Sequence, residues 1–436
     1  MTTTRPDVHP RLPAPPGPRW PVLVQSLLFG RYRHRWLPAL RRRYGDVVGV
    51  RIAPHRRSLI LLSRPEDIRT VFTGSATTYH AGEGNAILGP VMGEHSVLLL
   101  DEAEHLRVRK LLMPAFHGSA LRGYRELMQG LSAVEVAGWP AGRFRSHDRT
   151  TALTLEIILQ VVFGVTDEQR RAELRPIVTR LVGITPLIMI GWFYPALRRY
   201  GPWRRFALMS DQLDRLLYEE IGQRRNATDL DQRSDVLSRL LRVSSGGLTD
   251  AELRDNLITL LLAGHETTAT ALSWTLLELA ANPEVQAQAR HAAEHGDDEY
   301  LEAVVKESLR LHPIIYEVAR RLTEPVELGG FLIPAGATVM PGIGLVQSDP
   351  LRHPDPDRFR PQRFLGQPPA ANTWIPFGGG IRRCLGAGFA QLEATVVLGE
   401  VLRRFRLEPA GRPEPPRPRN VTLTPARGGT VRLFPR

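Results

Sequence analysis

Phe377-Gly378-Gly379-Gly380-Ile381-Arg382-Arg383-Cys384-Leu385-Gly386 opens directly onto a run marked by Phe389, Leu392, Val396, Val397, Val401 and Phe405. That apolar spacing is helical, so the segment reads as a glycine-rich loop ending at a helix N-terminus. Glycines let the backbone fold tightly and bring amide N–H groups up to whatever the sulfur binds. Arg382, Arg383 and the helix dipole place Cys384 in positive potential, which favours thiolate, the form that binds metal. A lone cysteine taken alone is more often a small buried hydrophobe.

Cys384 is the only cysteine in 436 residues. This excludes an internal disulfide, a structural zinc site needing two or more thiolates, and a cysteine-held iron–sulfur cluster within one chain. It fits a reducing compartment, and a cytoplasmic location is expected. A hydrophobic content of 42% suits a large core and excludes disorder. With 57 Lys+Arg against 45 Asp+Glu the net charge is +12. The arginines are scattered (Arg41-Arg42-Arg43, Arg56-Arg57, Arg204-Arg205, Arg403-Arg404), without a basic tail or interleaved aromatics, so no nucleic-acid partner is expected. Trp20 to Gly30 is short, carries Pro21 and Gln25 and has no small-residue cleavage site, so no signal peptide is expected. Leu181 to Leu197 is uncharged and near the lower limit of about 17 residues for a bilayer span, but Pro186 and Pro195 interrupt it. A buried or mobile flap is expected there rather than a transmembrane span.

Residues 1–20, with Pro13, Pro15, Pro16 and Pro18, read as an extended arm, and 21–436 as a single domain. Val47 to Arg51 and Ser58 to Leu62 read as a strand pair, and further strand patterns recur around Thr338 and from Val421 to Leu433. Helical patterns dominate: Glu104 to Ala115, Asp148 to Phe163, Trp203 to Arg224, Asp250 to Ala281, Tyr300 to Leu311 and Gly388 to Phe405. The expected fold class is mainly α with a small β-rich part. Pro409 to Pro418 reads as a surface loop before the last hairpin.

Thr249-x-x-Glu252 is a capping box that starts the helix to Ala281, and Asn282-Pro283 stops it. At about 1.5 Å per residue the helix spans roughly 50 Å and should cross the whole domain. Its centre nevertheless reads Ala263-Gly264-His265-Glu266-Thr267-Thr268. Ala263 and Gly264 would leave room beside the helix, and the Thr267 hydroxyl can turn to the Ala263 carbonyl, making a polar notch in an apolar wall. Glu266 adds an ionisable group, and His265 reads as scaffold. A helix kink with a solvated patch is the structural alternative.

Phe377, Gly380, Arg382, Cys384 and Gly386 together resemble the haem-binding loop of the cytochrome P450 family, whose cysteine is the axial iron ligand. Three further segments resemble the family in its usual order. Glu307-Ser308-Leu309-Arg310, with Arg363 in Pro361-Gln362-Arg363-Phe364, matches a buried Glu–Arg–Arg network. His105 and Arg109, four apart in His105-Leu106-Arg107-Val108-Arg109, match residues that reach a haem propionate. Arg382, and Arg320 or its neighbour Arg321, match the remaining propionate contacts. Ala263 matches the helix position beside the haem, and Glu266 with Thr267 the acid–alcohol pair that delivers protons in O2 activation.

The resemblance runs from about Tyr44 to the C-terminus. It implies a P450-like fold, haem b (iron protoporphyrin IX) held by Cys384, and a soluble monooxygenase that puts one oxygen atom of O2 into an organic molecule. Gly82-x-Gly84 lacks the third glycine of a dinucleotide fingerprint, so no fused reductase domain is expected and electrons are expected to come from elsewhere. A ferredoxin or flavodoxin type donor with its reductase is implied, docking on a basic face that includes Arg383, Arg403 and Arg404. Candidate pocket residues are Ile87, Leu88, Ile184 to Phe193, Leu260 and Ile314 to Val318, which suit a lipophilic terpenoid, steroid or fatty acyl substrate. Glu317 reads either as a partner for a polar substrate group or as a local structural residue. A peroxide-using or non-oxygenating enzyme, and a haem-binding gas sensor or carrier, are the rival readings.

Overall fold

The computed structural model describes residues 12–53, 57–164, 168–182, 188, 191–192, 194–243 and 247–436. Helices make most of the fold. The longest is Asp250–Ala281, with both halves of the capping box formed: the Glu252 amide donates to Thr249 Oγ1 and the Thr249 amide to Glu252 Oε2. Its flanking stretches are buried, and it packs along Ser146–Phe163. Two threonines stitch the pair: Thr150 Oγ1 donates to the Ala269 carbonyl (3.2 Å) and Thr154 Oγ1 to that of His265 (2.9 Å). The helix Ala387–Arg404 follows the Cys384 loop and buries Phe389 edge-on against Phe116 and Tyr124.

The larger sheet orders Val47–Ile52, Arg57–Leu62, Thr338–Pro341, Arg320–Leu322 and Tyr79–His80. Only the contact between Arg57–Leu62 and Thr338–Pro341 is parallel. Thr430–Pro435 forms the centre of a second sheet, between Gly142–Arg145 and Phe405–Pro409. The proline-rich piece read as a loop ends in a strand: Pro416–Arg419 pairs with Thr422–Pro425 around Asn420, whose φ is +53°. Prolines fit there because this two-stranded ribbon leaves edge positions that need no N–H donor.

Several helices were not legible in the sequence. Ser119–Ala137 buries Ala120, Tyr124, Met128, Ser132 and Val136, a stripe in which alanine and serine dilute the apolar period. Pro283–His295 turns Gln286, Ala289, Ala292 and Ala293 inward. The first helical segment, Val22–Tyr44, breaks at a kink at Tyr32 (φ −132°), and its second half packs Trp36, Leu37 and Leu40 against the Val47–Ile52 hairpin. Residues 12–20 run beside that hairpin, where the Gly49 amide donates to the Pro16 carbonyl (2.8 Å). Among the described residues no helix is long and apolar enough to cross a membrane.

Candidate active site

The glycines of the loop are there for close packing as well as turning. Gly378 and Gly380 have φ of +67° and +63°, and a Cβ on Gly379 or Gly380 would strike Phe72. The Cys384 amide donates to the Phe377 carbonyl (2.9 Å), closing the loop. Phe377 stacks edge-on with Trp374, which in turn meets Phe364, so the loop leans on the segment that carries Arg363. The Cys384 side chain touches solvent yet lies deep among protein atoms, as it would on the wall of an internal cleft. Burial pushes its thiol up, and the Gly386 amide, Arg109 and Arg383 pull back less strongly. Local charge thus acts in the direction expected, toward thiolate, while desolvation opposes it.

Four basic side chains converge beside this loop. His105 is buried, its Nδ1 has no hydrogen-bond partner, and burial with Arg382 and Arg109 holds its pKa down to about 3. Arg109 donates to the Arg383 carbonyl (2.7 Å) and is held below its ordinary range by burial. Arg382 donates to the carbonyls of Val97 and Leu100 and pairs with Asp101. Burial lowers Arg382 to about 10, and burial with Arg382 nearby lowers Arg320 likewise to about 10. Strand alternation puts Arg320 and Arg321 on opposite faces. Arg320 turns into the fold over Phe72, whereas Arg321 points outward to an ion pair with Glu83 (2.9 Å).

One carboxylate, Asp101, faces this group, and it also accepts from the amides of Gly82 and Glu83. Asp101 was missed in the sequence. Its only cue is an N-cap residue type just before the helix Glu102–Leu112. Three desolvated guanidinia and an orphaned imidazole nitrogen fit a buried group bearing two carboxylates.

The long helix meets the segment that Arg382 holds: Ser96 Oγ lies 2.7 Å from Thr259 Oγ1 and the Val97 amide donates to Asn256 Oδ1 (2.9 Å), while Arg382 donates to the Val97 carbonyl. Leu260, Ala263, Gly264 and Thr267, at i, i+3, i+4 and i+7, are partly or fully exposed in the middle of an otherwise buried helix. Thr267 Oγ1 donates to the Ala263 carbonyl at 2.8 Å, the notch expected from sequence, and the helix continues without a break. Gly264 does something else: a Cβ there would come within 2.9 Å of Ile158, so its size serves helix packing rather than space for a cofactor. Glu266 is buried, and its Oε1 lies 3.2 Å from Nε of Arg419 in the Pro416–Arg419 strand. Burial pushes the Glu266 carboxyl up, and Arg419 opposes this. No sequence signal joined Arg419 to Glu266, since it lies just past the piece read as a loop, Pro409 to Pro418. His265 is scaffold, its Nδ1 bonded to the Leu261 carbonyl.

Beneath the loop, Glu307 is fully buried and accepts from Arg310 Nε (2.7 Å) and Nη2 (3.0 Å), Arg363 Nε (3.2 Å) and the Arg360 amide (2.9 Å). The three-residue network is formed as expected.

The cytochrome P450 family model matches residues 14–432. The chain belongs to the cytochrome P450 family. It is 51% identical over 427 residues to cytochrome P450 135A1 of Mycobacterium tuberculosis, covering 97% of this chain and 95% of the relative. It is 42% identical to cytochrome P450 135B1 of Mycobacterium bovis, covering 96% and 91% of the two chains. The fold matches a cyanobacterial P450, CYP120A1, solved with retinoic acid, at a TM-score of 0.84 and 24% identity over 98% of this chain and 100% of that one. P450s are haem-binding oxidoreductases, so this chain is a P450-type monooxygenase with haem b as its cofactor, using O2 and a redox partner.

The P450 pocket residues read from sequence divide. Ile87 and Leu88 are open, and Ile315 and Val318 are half-buried, but Ile314 and Tyr316 pack into hydrophobic cores. Glu317 is a structural residue, buried against Arg33 at 3.5 Å. Of Ile184 to Phe193, residues 184–187, 189–190 and 193 lie outside the described residues.

Proposed function

We propose that Cys384 is the axial ligand of haem b in this chain and that His105, Arg109, Arg320 and Arg382 neutralise its propionates. The convergence of those four basic groups with Cys384 beside the open face of Leu260, Ala263 and Thr267 carries the reading. Phe377, Gly380 and Gly386 shape the loop around the sulfur. When bound, the haem supplies an iron centre at which O2 is reduced, made electron-rich by the thiolate.

The chain's own residues manage substrate, water and protons. Leu260, Ile87, Leu88 and Val318 offer an apolar surface suited to a lipophilic terpenoid, steroid or fatty acyl molecule. Thr267 holds a hydroxyl in the notch by its bond to Ala263, ready to orient a water. Glu266 keeps a buried carboxyl whose proton affinity is raised by desolvation and limited by Arg419. The pair passes protons from Glu266 to the Thr267 notch. Electrons come from an acidic ferredoxin or flavodoxin with its reductase, attracted to the surface bearing exposed Arg383. Arg403 and Arg404 add less than their charge suggests, since both lean on Glu400. Residues 21–436 act as one catalytic domain.

The test is Thr267→Ala with a surrogate ferredoxin system. Haem content and substrate-induced absorbance shifts should persist while reducing equivalents are diverted to hydrogen peroxide. An unchanged yield of product per electron would remove Thr267 from proton delivery.

A further inference from the structure

We propose that the N-terminal end of the first helix is a surface that seats this protein on an anionic lipid bilayer. Trp20, Leu23, Val24 and Leu27 are 48%, 75%, 43% and 64% exposed. Leu23, Val24 and Leu27 share one outward helical face, and Trp20, stacked by one face on Trp36 (6.4 Å) and half exposed, closes its end. Single exposed hydrophobics are ordinary on protein surfaces; a contiguous set marks contact with something apolar.

The stripe is held rigidly from behind. Gln25, buried, donates to the carbonyls of Pro18 (3.3 Å) and Trp20 (2.8 Å) and accepts from the Arg51 amide (2.9 Å). Ser26 Oγ accepts from the Ala53 amide (2.8 Å). These bonds also bring the turn end of the Val47–Ile52 hairpin beside the stripe, where Arg57 pairs in register with Ile52. Arg19, Arg31, Arg35, Arg51 and Arg57 are all exposed, and none has an acidic partner among the described residues. The sequence carries no Asp or Glu between Asp7 and Asp46.

Leucines and a tryptophan flanked by unpaired guanidinia suit the bilayer interface. The apolar side chains enter the acyl boundary while the arginines reach headgroup phosphates. A second copy of this chain would set the same arginines against one another across a two-fold axis. Residues 1–11 offer only Met1 and Val8 as large aliphatic side chains and add Arg5 and Arg11, so they match the stripe poorly. An acidic protein would satisfy the cations but leave the leucines to be matched separately.

Just past the kink at Tyr32 the chain reaches the pocket side: Arg33 pairs with Glu317 and donates to the carbonyl of Asn420 (2.9 Å), the residue after Arg419. Lipid seating would therefore hold the pocket-edge segments near the layer into which lipophilic molecules partition. That consequence rests on the proposed substrate class; the docking itself does not.

Co-sedimentation of the full-length haem-loaded protein with vesicles tests it. Vesicles of phosphatidylcholine mixed with phosphatidylglycerol should pellet the protein, and pure phosphatidylcholine should do so much less. Leu23→Asp with Leu27→Asp should weaken pelleting by about tenfold or more, and Arg19→Gln with Arg31→Gln and Arg35→Gln should abolish the preference for anionic vesicles. Both variants change only exposed positions, and unchanged circular dichroism and haem content confirm the fold. Milder Leu23→Ser with Leu27→Ser serves if the aspartates perturb it. Wild-type pelleting by the leucine variants would overturn the proposal. So would no vesicle binding at all, or leucine variants that alter only self-association or ferredoxin binding.

Discussion

Replacing Glu307 by alanine removes the one carboxylate that faces both Arg310 and Arg363. Arg310 loses two charge-assisted hydrogen bonds and keeps only the carbonyls of Gln347 and Arg358. Arg363 loses its bond to Glu307 and keeps the Asp355 carbonyl. Arg310 is 2% exposed, so water cannot take the place of the missing oxygens without opening the core. Breaking a buried pair by deleting one partner costs about 3–5 kcal/mol, a large part of the roughly 5–15 kcal/mol that holds a folded protein together. Glu307→Gln keeps the shape and one acceptor oxygen and should cost less than the alanine. Guanidinium chloride unfolding followed by circular dichroism measures the difference, with the slope unchanged if the native state is otherwise intact. A loss below about 1 kcal/mol, the scale of an exposed pair, would show that water already reaches the network and refute the reasoning.

Three further outcomes follow from the site. Burial and Arg419 hold His147 down to about 4 from its ordinary 6.5. The unfolded chain therefore binds a proton that the folded one refuses, and stability that is full above about pH 6.5 is lost as pH falls toward 4, by roughly 3 kcal/mol. His147→Gln should flatten that slope in unfolding curves taken across this range, and an unaltered slope would contradict the assignment. Arg419→Gln should let burial push the Glu266 carboxyl higher still and move the corresponding limb of the pH–rate profile upward; a limb that stays in place would mean another group titrates there. Arg320→Ala should lower the haem retained per chain, read from the Soret-to-protein absorbance ratio, while Arg321→Gln should not, since Arg321 pairs with Glu83 at the surface. Equal losses would show that strand alternation does not separate their roles.

Local signals in the sequence were the reliable ones. The capping box marked the start of the long helix and Asn282-Pro283 its end, and Thr267 met Ala263 because i to i+4 geometry leaves it little choice. The loop around Cys384 was legible because glycine, arginine and cysteine at set offsets have few other uses. What could not be read depends on partners distant in sequence. Arg419 reaches Glu266 only because a proline-containing strand pairs with Thr422–Pro425, and Asp101 meets Arg382 across the fold. The desolvation that opposes the thiolate of Cys384 was likewise not legible, because burial is a tertiary property that local charge does not report. Gly264 teaches the same lesson, since its neighbour is Ile158 from another helix.

The central claim is that the Cys384 sulfur binds the haem iron, and the absorbance spectrum of the reduced, carbon-monoxide-bound protein tests it most directly. The wild-type protein should show the red-shifted Soret band of a thiolate-ligated haem, and Cys384→Ala should lose that band. A wild-type spectrum lacking the band, or a Cys384→Ala spectrum that keeps it, would contradict the account.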